Sequence, residues 1–239
     1  MIVTPRISVI APTRTRTSVL DRMLQTLVTT AAHPDTVEVV LRCDWDDDES
    51  LSYVRACQAT GWLQHTYRHG ASHILGSRLH GYATVPVFVN EAARLSHADL
   101  VFVVNDDVEF RSPGWDGALV DAAAAYPDGL FDLAAGCVTQ FAFPCVSRRQ
   151  ITLLGGVFDE RLVYPDLWLR DVLMPFGRAM QLPQVRLSHN WVGQSADQQR
   201  ACELTRSQDY AALYAQCVQE GRTRIREELA ASGLAQRKA

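Results

Sequence analysis

The sequence predicts an α/β protein: a mostly parallel or mixed central sheet flanked by helices, followed by a C-terminal helical extension. Three observations carry that expectation. Residues 6–11, 37–41 and 100–104 are short, nearly unbroken apolar runs, which suit strands covered on both faces. The stretches between them carry apolar residues at helical spacing. Each run leads into a polar tip: Pro12-Thr13-Arg14, Asp44 and Asn105-Asp106-Asp107. Ligand sites of open α/β sheets lie beyond the carboxyl ends of the strands, so these tips are expected to share one rim.

The elements follow in order. Residues 6–11 (RISVIA) are rich in β-branched side chains and end at Pro12. A helix is expected from Thr17, with Leu20, Met23, Leu24 and Leu27 on one face and Thr15 or Thr17 as its cap. His33-Pro34-Asp35 ends it, and 37–41 form the second strand, which opens a right-handed βαβ unit. The acidic run 46–49 reads as the cap and first turn of a short helix through Tyr53, Val54 and Cys57. Residues 63–67 suggest a third strand, and 68–78 a polar loop near the site. A helix over 84–95, with Pro86 in its first turn, feeds the strand at 100–104.

Further on, 108–110 suggest a short strand, 112–126 a helix, 130–138 another sheet segment and 147–154 a short helix. A helix with Asp166 in its first turn precedes a last strand, 184–188, which leads to His189. Leu204, Tyr210, Leu213, Tyr214, Cys217 and Val218 then mark an amphipathic helix. Gly221 reads as an interruption, and Ile225 and Leu229 continue a second stripe. The expected division is a domain over 1–191 with the extension 192–239 packed on it.

A chain of 239 residues, 47% hydrophobic and 21% charged, can bury one sizeable core. A net charge of -4 gives no broad attraction for nucleic acid. Cys43, Cys57, Cys137, Cys145, Cys202 and Cys217 form no CxxC pair, so buried free thiols are expected rather than a zinc cluster or a redox dithiol. His65, His69, His73 and His80 fall on no regular face and read as loop histidines. No apolar run reaches the length of a signal-peptide core or a membrane span, so a cytoplasmic protein is expected.

Asp106 and Asp107 are adjacent carboxylates, which repel unless a cation lies between them. His189 arrives at the end of a later strand. Hard oxygens with one imidazole suit Mn2+ or Mg2+, and such an ion neutralises a diphosphate leaving group. Thr13 and Arg14, in the first loop, are suited to position a nucleotide. No GxGxxG and no GxxxxGK[ST] follows the first strand, so neither a dinucleotide fingerprint nor a P-loop is offered. Asp44 is either a ligand-binding or a turn carboxylate. Asp166 is either a first-turn helix charge or a general base toward an acceptor hydroxyl. Trp168 is either core or a platform for a sugar ring.

Taken together, residues 5–191 resemble the GT-A-fold glycosyltransferases of the large inverting, nucleotide-sugar-dependent superfamily, in a form like family 2. The resemblance begins at Ser8-Val9-Ile10-Ala11-Pro12-Thr13-Arg14-Thr15-Arg16 and continues with Asp44 at the end of the second strand. Phe102-Val103-Val104-Asn105-Asp106-Asp107 matches the family's DxD-type segment, with Asn105 at the first carboxylate position. Leu154-Gly155-Gly156-Val157-Phe158-Asp159-Glu160 matches the acceptor-side turn before the catalytic carboxylate. The family's Glu-Asp pair stands here as Pro165-Asp166, with Asp171 as a possible substitute.

The resemblance implies that Pro12, Thr13, Arg14, Asp44, Arg78 and Asp106 contact the donor. It implies that Asp107 and His189 hold Mn2+ or Mg2+, and that Asp166 is the base of an inverting transfer. The implied partners are a nucleotide-diphosphate sugar and a glycan or other hydroxyl-bearing acceptor, with specificity near 68–80 and 139–150. A homodimer through the C-terminal helices is a further expectation. The rival readings are a nucleotidyltransferase on the same type of sheet, a metal-dependent nuclease or hydrolase, and a non-catalytic sugar- or nucleotide-binding module.

Overall fold

The structure, a computed structural model, describes residues 5–59, 71–76, 82–137, 140–163, 165–190 and 196–233. Its strands are β1 (Ile7–Thr13), β2 (Val37–Asp44), β3 (Ala71–Gly76), β4 (Leu100–Val103), β5 (Val108–Phe110), β6 (Asp132–Cys137), β7 (Gln140–Ser147) and β8 (Ala179–His189). The helices are α1 (Thr17–Thr30), α2 (Asp48–Ala59), α3 (Val85–Leu95), α4 (Trp115–Ala123), α5 (Arg148–Leu154), α6 (Asp166–Leu173), α7 (Ala196–Leu204) and α8 (Gln208–Ala231). The strands form a mixed sheet in the order β3-β2-β1-β4-β7-β6-β8-β5.

The parallel half is β3, β2, β1 and β4, with Ile7 opposite both Val37 and Leu100. β7 runs antiparallel to β4 and β6, while β6 and β8 run parallel to each other. The ends of β1, β2, β4, β6 and β8 therefore reach the same edge of the sheet. β5 pairs antiparallel with the end of β8, Val108 opposite His189. This hydrogen-bonded turn back from the Asp106-Asp107 corner ties the β4 tip to the end of β8.

Two cores sit on the two faces, as the two-residue period of a strand requires. Ile7, Val9 and Ala11 of β1 pack with Leu20, Leu24 and Leu27 of α1 and with Trp115 of α4. Ile10 points the other way, into a cluster with Val89 of α3, Leu169 and Val172 of α6, and Cys217 and Ile225 of α8. The aromatic centre of the first core is Phe102, Phe110 and Trp115, with Phe110 and Trp115 centroids 4.8 Å apart. Cys43, Cys57, Cys145 and Cys217 are buried, and Cys202 is half-buried. Among the described residues no helix is long and apolar enough to cross a membrane.

The structure corrects four local expectations. Residues 71–76 do not continue a loop; they add a parallel strand to the edge of β2, whose N–H and C=O groups need partners. The strand expected at 63–67 lies outside the described residues. β7 is absent from the expected strands because Pro144 interrupts its donor pattern, which reads against a central strand; within it Phe143 takes φ +59°. Neither Thr15 nor Thr17 caps α1: the N-cap position is Arg16, with no side-chain cap. Gly221 does not interrupt α8, which runs unbroken through it. A Cβ there would meet Val172 Cγ2 at 2.7 Å, so the glycine permits a close crossing of α8 over α6.

Candidate active site

The β1–α1 loop lies against the tips of β2 and β4. Arg14 donates from Nη1 to Asp44 Oδ2 at 2.8 Å and to Asp46 Oδ1 at 2.7 Å. The N–H of Thr15 donates to Asp47 Oδ2 at 3.0 Å and to Ser50 Oγ at 3.1 Å. These bonds hold Thr15 at φ +49°, a conformation that a β-branched residue adopts only when its surroundings enforce it. Asp47 also accepts from the N–H of Ser50 and so caps α2. The acidic run thus divides: Asp47 is structural, while Asp44 and Asp46 face the arginine of the neighbouring loop.

Asp44 is held from beneath by Arg42, a fully buried guanidinium that also binds Glu91 Oε2 at 3.1 Å and lies 3.9 Å above the Phe88 ring. A buried arginine needs such partners, because an unpaired charge there is strongly destabilising. The result fixes one carboxylate oxygen of Asp44 from the protein side and leaves the other toward the loop.

At the tip of β4, Thr13 Oγ1 donates to Asp106 Oδ2 at 2.9 Å. Arg16 bridges both aspartates, from Nη1 to Asp106 Oδ1 at 3.1 Å and from Nη2 to Asp107 Oδ2 at 2.7 Å. Both carboxylates are buried. Burial pushes the Asp106 carboxyl up to about 6, against the pull of Arg16 and Thr13 and with the help of its neighbour Asp107. Burial also opposes ionisation of Asp107, but His189 and Arg16 outweigh it and hold that carboxyl below the usual range. The pair therefore has one firmly ionised member.

His189 Nε2 stands 3.0 Å from Asp107 Oδ1. That oxygen is buried and makes no hydrogen bond of good geometry among the described residues. The Asn190 N–H donates to the Asp107 carbonyl at 3.0 Å, and its side chain donates to Glu109 at 2.7 Å, so the end of β8 is clamped onto the β4 tip. Phe143, at φ +59°, sets its ring edge-on to His189 with centroids 5.4 Å apart. Both non-glycine residues with positive φ among those described therefore border this site.

A buried carboxylate oxygen with no hydrogen bond of good geometry, facing an imidazole nitrogen, is a donor set that fits a hard divalent ion. Among the described residues no group of three or more His, Cys, Asp or Glu could hold a metal ion. An ion seated by Asp107 and His189 would then complete its shell with water and substrate phosphate oxygens, as Mg2+ commonly does.

The structure brings together Thr13, Arg14, Asp44, Asp106, Asp107 and His189. Pro12 is in β1 beside them, paired with Arg42. Asp166 is the first residue of α6; its side chain and Arg78 lie outside the described residues. Asp171 accepts from Arg170 and, at 2.8 Å, from the Tyr214 hydroxyl of α8, which ties both of its oxygens into a helix-to-helix contact. Trp168 is buried in the second core. His65, His69 and His80 lie outside the described residues. Sequence reasoning missed Arg16, Phe143 and Arg42. The alternation Thr13-Arg14-Thr15-Arg16 was a usable signal for the first, since both arginines leave the loop beside acidic strand tips.

The fold matches solved structures. A mannosyltransferase from Pyrobaculum calidifontis, solved in complex with GDP-Man and Mn2+, superposes with a TM-score of 0.63 over 98% of this chain and 76% of its own, at 17% identity. The chain has a GT-A-like fold. S. aureus TarS residues 1–349 match with a TM-score of 0.56 over 98% of this chain and 75% of theirs, at 16% identity. A complex of the same TarS fragment with UDP gives 0.55, over 93% and 72%, again at 16%. Against a longer TarS chain the match covers 92% of this chain but 43% of the other. No family model matches the sequence, and no curated protein does. In this GT-A-like frame the acidic corner at the end of β4 stands at the rim where the parallel strands end.

Proposed function

We propose that the chain is a glycosyltransferase that moves a sugar from a nucleotide-diphosphate donor to an acceptor hydroxyl with inversion. The observation that carries this is the Asp107–His189 pair beside Asp106, its buried Asp107 oxygen facing the imidazole, at the sheet edge that also holds the Arg14–Asp44 pair. The GT-A-like fold supports it, as do the GDP-Man and Mn2+ bound by the P. calidifontis enzyme and the UDP bound by TarS.

On this reading the donor lies across the rim. Asp44 and Arg14 contact the nucleoside, Thr13 and Asp106 the sugar-phosphate end, and Pro12 and Arg78 are further donor contacts. Asp107 and His189 would hold Mn2+ or Mg2+, which when bound neutralises the diphosphate as it leaves. Asp166 takes the proton from the acceptor hydroxyl. The acceptor oxygen attacks the anomeric carbon as the bond to the diphosphate oxygen breaks on the opposite side, which inverts the configuration. Asp166 is the first residue of α6, the helix that precedes β8.

A thermal-shift screen of UDP-, GDP-, CMP- and dTDP-sugars, with and without Mn2+, tests the class. A metal-dependent shift with one nucleotide is the expected result and also identifies the base. No shift with any of them overturns the reading. Binding of a donor without transfer to any acceptor would favour a non-catalytic binding module instead.

A further inference from the structure

The β1–α1 loop carries a second cation that the donor reading leaves unused. Arg16 leaves the N-cap of α1 and reaches both carboxylates of the β4 tip, one through each terminal nitrogen. Its side chain is still 39% exposed. Among the described residues, the partners of its guanidinium are these two aspartates alone. A guanidinium carries five N–H donors in a planar fork suited to carboxylates and phosphates alike. Arg16 therefore combines a grip on the acidic pair with donors turned to solvent at the rim.

We propose that Arg16 is the resident counter-cation of Asp106 and Asp107 in the nucleotide-free protein. A divalent ion displaces it from them, and the freed guanidinium then binds the diphosphate. This rests on the glycosyltransferase reading above. The physical ground is charge. Asp107 lends Oδ2 to Arg16 and turns Oδ1 to His189, so an ion seated between Asp107 and His189 comes up against the guanidinium on the same carboxylate. Two cations on one carboxylate repel, and the exposed, flexible one yields. A diphosphate arriving with the metal offers that arginine a new bidentate anion. Metal and nucleotide thus assist each other, and by linkage the assistance is reciprocal.

The test is Mn2+ binding, read by the electron paramagnetic resonance of free Mn2+, on the full chain alone and with UDP or GDP. Arg16→Gln should bind Mn2+ alone about tenfold more tightly than the parent and the nucleoside diphosphate about tenfold more weakly. The gain in Mn2+ affinity on adding nucleotide should shrink by a similar factor. Arg16→Lys keeps a charge but loses the fork and should fall between the two. Circular dichroism and melting temperature check that each variant is folded. If the parent binds Mn2+ and nucleotide and both folded variants bind Mn2+ no more tightly than the parent, the role of Arg16 is overturned while the donor reading stands. If the parent binds neither, both fall together.

Discussion

Nε2 of His189 lies 3.0 Å from Oδ1 of Asp107, although one comes from the tip of β4 and the other from the end of β8, the last strand in the chain. The β5–β8 pairing and the Asn190 clamp on the Asp107 carbonyl make that approach a property of the backbone. The two side chains are therefore presented together before any ligand arrives, which lowers the ordering cost of binding one. His189→Ala should weaken Mn2+ binding by about 10–100-fold, and Asp107→Asn by more, because an amide oxygen is a poorer ligand than a carboxylate. Titration calorimetry with Mn2+ in the presence of nucleotide measures both. Unaltered affinity in the two variants would remove the metal site from these residues.

Asp166 and Asp171 share α6 but stand in different chemistry. Asp171 spends both oxygens on Arg170 and Tyr214, so Asp171→Asn should lower the melting temperature and leave nucleotide affinity alone. Asp166→Asn should keep nucleotide binding and cut transfer by about 10²–10⁴-fold, the usual worth of a general base. Full transfer activity in the Asp166 variant would end its assignment as the base.

Much of the rim was legible because strand and helix periods differ. The runs ending at Thr13, Asp44 and Asp107 had to be buried strands, and a parallel sheet puts their ends on one edge. The segments that escaped were those where tertiary pairing overrode local signals. β7 carries Pro144 and a left-handed Phe143, yet β4 and β6 hold it in register from both sides. Arg16 escaped for a different reason. Its partners are 90 or more residues away, and no local pattern says which carboxylate an arginine will meet. Gly221 misled because the cost of glycine in a helix is local, while its benefit, the close approach to Val172, belongs to the pair of helices.

Away from the site, Glu38 on β2 is a buried carboxylate that holds the turn before β4. It accepts from the Ser8 hydroxyl and from the backbone N–H of His97 at 2.8 Å, and it pairs with His97 Nδ1 at 2.6 Å. Burial opposes its ionisation, but these bonds outweigh burial and hold the carboxyl below its ordinary value. A folded pKa below the unfolded one adds stability above the ordinary glutamate range, and that stability is lost as pH falls through the folded value. Glu38→Gln should therefore cost about 1–3 kcal/mol at pH 7, and the gap to the parent should close below about pH 4. Urea denaturation at a series of pH values reads this directly. A gap that stays constant with pH would mean that the contribution of Glu38 does not depend on its charge.

The crossing at Gly221 sets two small terms against each other. Alanine in place of glycine in a helix gains about 0.5–1 kcal/mol of intrinsic propensity. The added methyl would meet Val172 Cγ2 at 2.7 Å and Cγ1 at 3.2 Å, with Trp168 Cζ2 at 3.5 Å behind them. All three atoms belong to side chains buried in the second core, so they have little room to yield, and overpacking of this kind costs about 1–3 kcal/mol. Overpacking should win, and Gly221→Ala should destabilise by about 1 kcal/mol net. Val172→Ala leaves a cavity of its own, but combined with Gly221→Ala it makes room for the new methyl, so the double variant should be more stable than the sum of the single effects requires. Strict additivity in chemical denaturation would show that the two positions do not press on each other. Because α6 begins at Asp166, a shift of that helix by the alanine should reduce transfer more than nucleotide binding, and the valine-to-alanine partner should restore part of the loss.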